Sequence, residues 1–149
     1  MSEQLDRYLL DNNALFDLTS EQRTSPKFRN IVRVPTEVIH ETGDRAHTER
    51  LDGLDYPTTS SVLEHLKRVM ATVEPNDRRL IDLFKYEGTA DPLLVACALD
   101  ANDAPAGLLD VHWTVVTGDG AVRSKCDEFG ISWCSAATFS ALLDGDYEE

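Results

Sequence analysis

Short runs of β-branched and aliphatic residues alternate along this chain with segments whose apolar residues fall at helical spacing. Tyr8–Leu10, Ile31–Val34, Trp113–Thr117 and Ile131–Cys134 are the strand-like runs, and each gives way to a polar turn or a proline and then to a helical stretch. Strands joined through helices run parallel, and a parallel sheet needs both of its faces covered. The pattern predicts an α/β fold in three layers, α/β/α, around a central parallel sheet of four to five short strands.

Local chemistry sets the expected boundaries. Leu10 leads into the polar turn Asp11-Asn12-Asn13, and a helical segment begins at Ala14. Pro35 suits the first turn of a helix carrying Thr36 to Thr42, which Gly43 stops. The charged stretch from Gly43 to Tyr56 reads as an exposed loop or a frayed helix. Thr58 to Ser61 offer N-caps for a helix with Val62, Leu63, Leu66, Val69, Met70 and Val73 at helical spacing; Pro75 ends it and starts another, Asn76 to Tyr86. The stretch from Asp91 to Leu99, with Pro92 in its first turn, is apolar nearly all round and predicts a buried central helix, followed by a turn from Asn102 to Gly107. After Trp113–Thr117 comes Gly118-Asp119-Gly120, then a helix from Ala121 to Phe129 stopped by Gly130, and a closing helix from Ser135 to Leu143.

The length of 149 residues suits one domain spanning 1–149. A net charge of −13, from 27 acidic and 14 basic residues, argues against a generally basic nucleic-acid-binding surface while leaving room for a local basic groove. An acidic, lysine-poor surface suits a halophilic protein working in concentrated salt, where screening removes self-repulsion; it equally suits an ordinary acidic cytosolic protein. The three cysteines have no CxxC spacing, so neither a disulfide framework nor a structural zinc site is expected, and Cys97 reads as core. No apolar run approaches a membrane span, and the first residues lack the pattern of a signal peptide, so a cytoplasmic location is expected.

Asp11, Glu41, Asp91 and Asp119 each stand just past an apolar run. In an open parallel sheet, the carboxyl ends of the strands converge on one crevice, where acids distant in sequence can meet. Carboxylates gathered there repel one another unless a divalent cation lies between them. The structural alternative for Asp11, Asp91 and Asp119 is a turn residue or helix N-cap. Glu41 fits such a role less well, because it lies near a helix C-terminus, where the dipole disfavours an acid. Glu87 reads as solvated, and His40, His47, His65 and His112 as surface residues without metal-site spacing. Arg29, Arg33, Arg78, Arg79 and Lys85 are candidates for a groove along a nucleic-acid backbone. Ser60 and Ser61 have no identifiable base partner, so a serine hydrolase triad is not supported.

Four blocks resemble the PIN domain nucleases. LLDNNALFDL resembles their opening strand and Asp; VPTEVIHE resembles the second motif, whose register selects Glu41 with Glu37 as the fallback. ADPLLVACAL resembles the third, and VVTGDGAVRSKCDEFGISWCSAATFSALL the fourth, so that the likeness runs from Tyr8 to Leu143. Asn12 stands where the family more often has Ser or Thr, and Thr42 where Leu is usual. The resemblance implies metal-dependent endonucleolytic hydrolysis of RNA with Mg²⁺ or Mn²⁺. It gives Asp11 and Asp119 as direct ligands, Asp91 as a ligand to a metal or its waters, and Glu41 as orienting a water nucleophile. Asn13 and Thr117 would be donors that fix the carboxylates. It further implies an RNA substrate, either a toxin with an antitoxin protein partner or an RNA-processing nuclease, and a homodimer to which Trp113 or Trp133 contributes. The alternative is a catalytically silent module of the same fold that binds RNA or protein. A phosphoacceptor receiver domain would want paired acids after the first strand, and Asp11-Asn12-Asn13 does not offer them.

Overall fold

A computed structural model describes residues 4–42, 53–72, 90–103 and 110–145. Five parallel strands form one sheet: β1 (Gln4–Leu10), β2 (Val32–Pro35), β3 (Asp55–Tyr56), β4 (Asp110–Val116) and β5 (Ser132–Cys134), in the order β3-β2-β1-β4-β5. Around them lie α1 (Asn12–Phe16), α2 (Ser20–Arg23), α3 (Pro26–Ile31), α4 (Thr36–Thr42), α5 (Ser60–Ala71), α6 (Ala90–Asp103), α7 (Gly120–Phe129) and α8 (Ala136–Asp144). The expected three-layer α/β/α architecture is the one observed.

Side-chain alternation along β1 explains the layers. Tyr8 and Leu10 face a core shared with Phe28, Val34, Val38 and Phe139, while Leu9 faces a second core with Val69, Leu94, Val115, Val122 and Cys126. The first core lies under α1, α3, α4 and α8, the second under α5, α6 and α7. Helix α6 lies against β4, β1 and β2, and Leu94 to Ala98 within it are wholly buried, so the expected central helix is present. Buried in the same layer, Cys97 and Cys126 have their thiols pushed up to about 12 by desolvation, which leaves them inert at neutral pH.

Strand order decides where a site can form. From β1 the chain moves outward through β2 and β3, then returns to the other side of β1 as β4 and continues to β5. The direction of winding thus reverses between β1 and β4, and the crevice of such a sheet opens at the carboxyl ends of that pair. The two strands are locked in register from Gln4↔Asp110 to Leu10↔Val116, so their ends are level.

Several boundaries differ from the expected ones. Pro35 closes β2, opposite Tyr56, instead of opening the next helix; the end of a strand tolerates a residue with no N–H. Residues 53–56, expected as loop or frayed helix, include buried Leu54 and the two-residue edge strand β3. Helix α5 ends at Ala71 with Thr72 as C-cap, and its Leu63 and Met70 are 48% and 37% exposed instead of buried. His65, expected at the surface, is buried, with Arg68 Nη1 3.2 Å from Nδ1 and Asp103 Oδ2 3.6 Å from Nε2. Asn102 belongs to α6 and not to a turn: its side-chain amide accepts the N–H of Trp113 at 3.0 Å and donates to its carbonyl at 3.3 Å. Two short helices, α2 and α3, were not anticipated, although Thr19 and Gln22 form a capping box and Ser25 precedes Pro26. The expected Gly43 stop, Pro75 and the helix from Asn76 to Tyr86 lie outside the described residues, as do His47, Arg78, Arg79, Lys85 and Glu87.

The expected stop at Gly130 is realised in left-handed backbone, φ 72°, closing α7 before Ile131. A Cβ at this position meets nothing within 4 Å, so the cost of a side chain is conformational alone. Gly130→Ala is expected to destabilise the protein by about 1 kcal/mol, read as a lower urea midpoint at unchanged slope.

Candidate active site

The site begins where β1 and β4 end. The N–H of Asp11 still reaches the Val116 carbonyl at 3.4 Å, extending the ladder by one residue, and the N–H of Thr117 donates to the Cys134 carbonyl at 3.0 Å. Asp11 and Thr117 are thereby neighbours on adjacent strands. The Thr117 hydroxyl, wholly buried, donates to Asp11 Oδ2 at 2.6 Å and accepts the N–H of Asp119 at 3.1 Å. One hydroxyl therefore ties the ends of both strands together. Thr117 thus makes the contact expected of it.

Each acid is also an N-cap. Asp11 Oδ1 accepts the N–H of Ala14 at 2.7 Å to start α1; Asp119 Oδ1 accepts from Ala121 at 2.8 Å and Val122 at 3.3 Å to start α7. The cap reading of these residues is therefore realised, but it does not account for Asp11 fully. A cap is ordinarily solvated, whereas Asp11 is only 6% exposed. Burial pushes its carboxyl above the ordinary carboxylate range; the hydrogen bonds from Thr117 and Ala14 work against this, and the nearby charges of Asp119 and Asp17 add to it. Desolvation wins. Asp119 Oδ2 carries no hydrogen bond among the described residues, so each of the two acids keeps lone pairs for another partner. Asp17, the C-cap of α1, is a third acid close enough to act on Asp11, and nothing in the sequence marked it out.

The chain matches no protein-family model. No curated protein matches it either.

Glu41 and Asp91 are located by their helices. Helix α4 leaves the carboxyl end of β2 and touches both α1 and α6, with Glu41 in its last turn. Helix α6 has its last turn bonded to the middle of β4 through Asn102, and Asp91 is its second residue. Because Ala90 is already helical, Asp91 lies inside the first turn and is not the N-cap. The side chains of Glu41 and Asp91 lie outside the described residues, and among the described residues no three His, Cys, Asp or Glu side chains gather as a metal-binding group. Asn13 is exposed on α1, and its side chain makes no hydrogen bond to a carboxylate among the described residues, unlike the donor role expected of it. Its neighbour Asn12 has a buried Oδ1 with no partner among the described residues.

Of the cations proposed for a groove, Arg29 and Arg33 lie among the described residues. Arg33 turns Nη1 onto the carbonyls of Val32 and Arg29 at 2.7 and 3.2 Å, and burial, with Arg7 and Arg29 nearby, lowers its pKa. Glu37 is exposed in the first turn of α4. Trp113 and Trp133 are half-buried against the second core. No helix among the described residues is long and apolar enough to cross a membrane.

Proposed function

We propose that the chain is a metal-dependent endoribonuclease of the PIN-like type, acting at the crevice between the ends of β1 and β4. The observation that carries this reading is Asp11, a desolvated carboxylate at the winding reversal of a parallel sheet, with its pKa raised and a second acid tied to it through Thr117. A buried acid beside another acid is relieved when a cation is shared between them. The donors are hard oxygens, which suits Mg²⁺ or Mn²⁺ better than a thiolate-seeking metal, so the residues present fit the ion.

In this reading Asp11 and Asp119 would hold the ion, Asp91 would hold an ion or its waters, and Glu41 would orient the attacking water. When bound, the ion would neutralise charge on the phosphate and acidify that water. Thr117 holds the rotamer of Asp11, and the α1 and α7 caps hold both acids in place. The likeness to the family extends the proposal to a toxin paired with an antitoxin protein or an RNA-processing nuclease, and to a homodimer. The second reading is a catalytically silent module of the same fold that binds RNA or protein.

Labelled single-stranded and structured RNAs incubated with Mn²⁺ or with a chelator separate the two. Mn²⁺-dependent cleavage is expected, with a loss of at least about 100-fold in Asp11→Asn and in Asp119→Asn. Cleavage that persists in both variants would remove the assigned site; RNA binding without any cleavage selects the silent module. Growth arrest on expression, relieved by an adjacent small gene's product, is the toxin outcome.

A further inference from the structure

We propose that Arg123, stacked on Trp133 one helical turn beyond Asp119, is a substrate-binding residue that holds an RNA backbone phosphate beside the acidic crevice. The inference rests on the nuclease reading for its substrate class, and on a separate set of contacts for its residue.

The N–H of Arg123 donates to the Asp119 carbonyl at 3.0 Å, so the arginine lies on the same face of α7 as the acid, about 6 Å further along the axis. Its guanidinium carbon is 4.5 Å from the centroid of the Trp133 ring. That ring is fixed in turn: Trp133 pairs with Val115 across β4 and β5, and its indole N–H donates to Asp127 Oδ1 at 3.0 Å. The stack is therefore held from the strand side and from the helix side, which removes most of the freedom an arginine otherwise loses on binding.

What the guanidinium lacks is an anion. Asp127, four residues on, is its natural helical partner, but that oxygen is engaged by the indole. Asp119, four residues back, has one oxygen engaged by the α7 N–H groups. Among the described residues Arg123 forms no ion pair, and its Nε is buried without a hydrogen bond. In a chain with 27 acidic residues, an arginine held over an aromatic ring and left without a carboxylate among the described residues is unusual for a purely structural side chain. Its edge donors suit a phosphate, and a protein of net charge −13 needs such a local cation to hold RNA at all.

The test is binding of a fluorescein-labelled single-stranded RNA by fluorescence anisotropy, in chelator, over a series of potassium chloride concentrations. Arg123→Gln is expected to weaken binding about 10-fold and to make the slope of log K against log salt shallower by about 0.7. Arg123→Lys is expected to restore the slope, since the charge is kept, without the full affinity, since the planar fork is lost. Wild-type affinity and slope in both variants would overturn the proposal, as would a wild-type protein that binds no RNA. If the Gln variant loses its fold, the Lys variant decides: weaker binding at the wild-type slope supports the assignment, and unchanged binding overturns it. Arg123-dependent binding without Mn²⁺-dependent cleavage upholds this inference and sinks the nuclease reading; cleavage indifferent to Arg123 does the reverse.

Discussion

Asp11→Asn is expected to abolish the stabilisation of the protein by Mn²⁺ while flattening its loss of stability with rising pH. An ion bound only by the folded state at about 100 times its Kd stabilises by about 2.7 kcal/mol, roughly 5–10 °C in Tm for a domain of this size. In wild type without cation, the folded-state pKa of Asp11 lies above its unfolded value of about 3.9, with burial the largest cause. Such a group costs nothing below the unfolded pKa, costs progressively more as pH rises from there to the folded pKa, and costs its full amount above it. The cation-free wild type is therefore expected to lose stability, relative to Asp11→Asn, as pH rises from about 4 towards neutrality. The amide can still cap α1 through its oxygen, which keeps the comparison free of a lost cap. Thermal melts of both proteins between pH 3 and 7, with and without Mn²⁺, carry the test. An equal Mn²⁺-induced rise in both would place the ion elsewhere.

Phe139→Ala is expected to be the most damaging single change away from the crevice. Phe139 is wholly buried, and its ring sits 4.8 Å, centroid to centroid, from that of Tyr8 on the central strand. Emptying that volume costs about 3–5 kcal/mol, because the transfer term and the residual cavity add. For a domain of this length that corresponds to a fall of roughly 6–20 °C in Tm. Because the cavity opens under β1, two positions before Leu10, cation binding at Asp11 is expected to weaken in step. A variant that melts low yet keeps the full Mn²⁺ shift would show that the crevice is insulated from its floor.

Chemistry carried by single residues was legible without coordinates. Gly130 stopping α7, the start of a helix at Ser135 and the apolar run ending before Asp119 are local signals: α7 and α8 formed within a residue of their expected limits, and β4 ends within a residue of its expected end but starts three residues early, at Asp110. Whatever depended on a distant partner was not. The two residues of β3 carry no pattern of their own and are strand only because Val34 and Pro35 lie beside them. His65 is buried because Asp103, on another helix, and Arg68 stand on either side of it. Leu63 falls at helical spacing with Val62 and Leu66, but lies beyond the width of the stripe that α6 covers. At the crevice, Asp11 and Asp119 could be nominated from their positions after strands. The buried hydroxyl joining them depends on the β1/β4 register, which no local pattern encodes. Arg123 escaped notice because its meaning lies in a tryptophan on the next strand.

The side chain of Asn102 has a consequence for the chain's behaviour in a crowded solution. Among the described residues strand β5 pairs with β4 only from Thr114 to Val116, so Trp113, just before that span, has no β5 partner for its peptide groups. A carboxamide has the same donor and acceptor as a peptide unit, and Asn102 uses both on Trp113. At Trp113 one side chain stands in for a strand, which denies a neighbouring molecule a foothold for edge-to-edge pairing at that position.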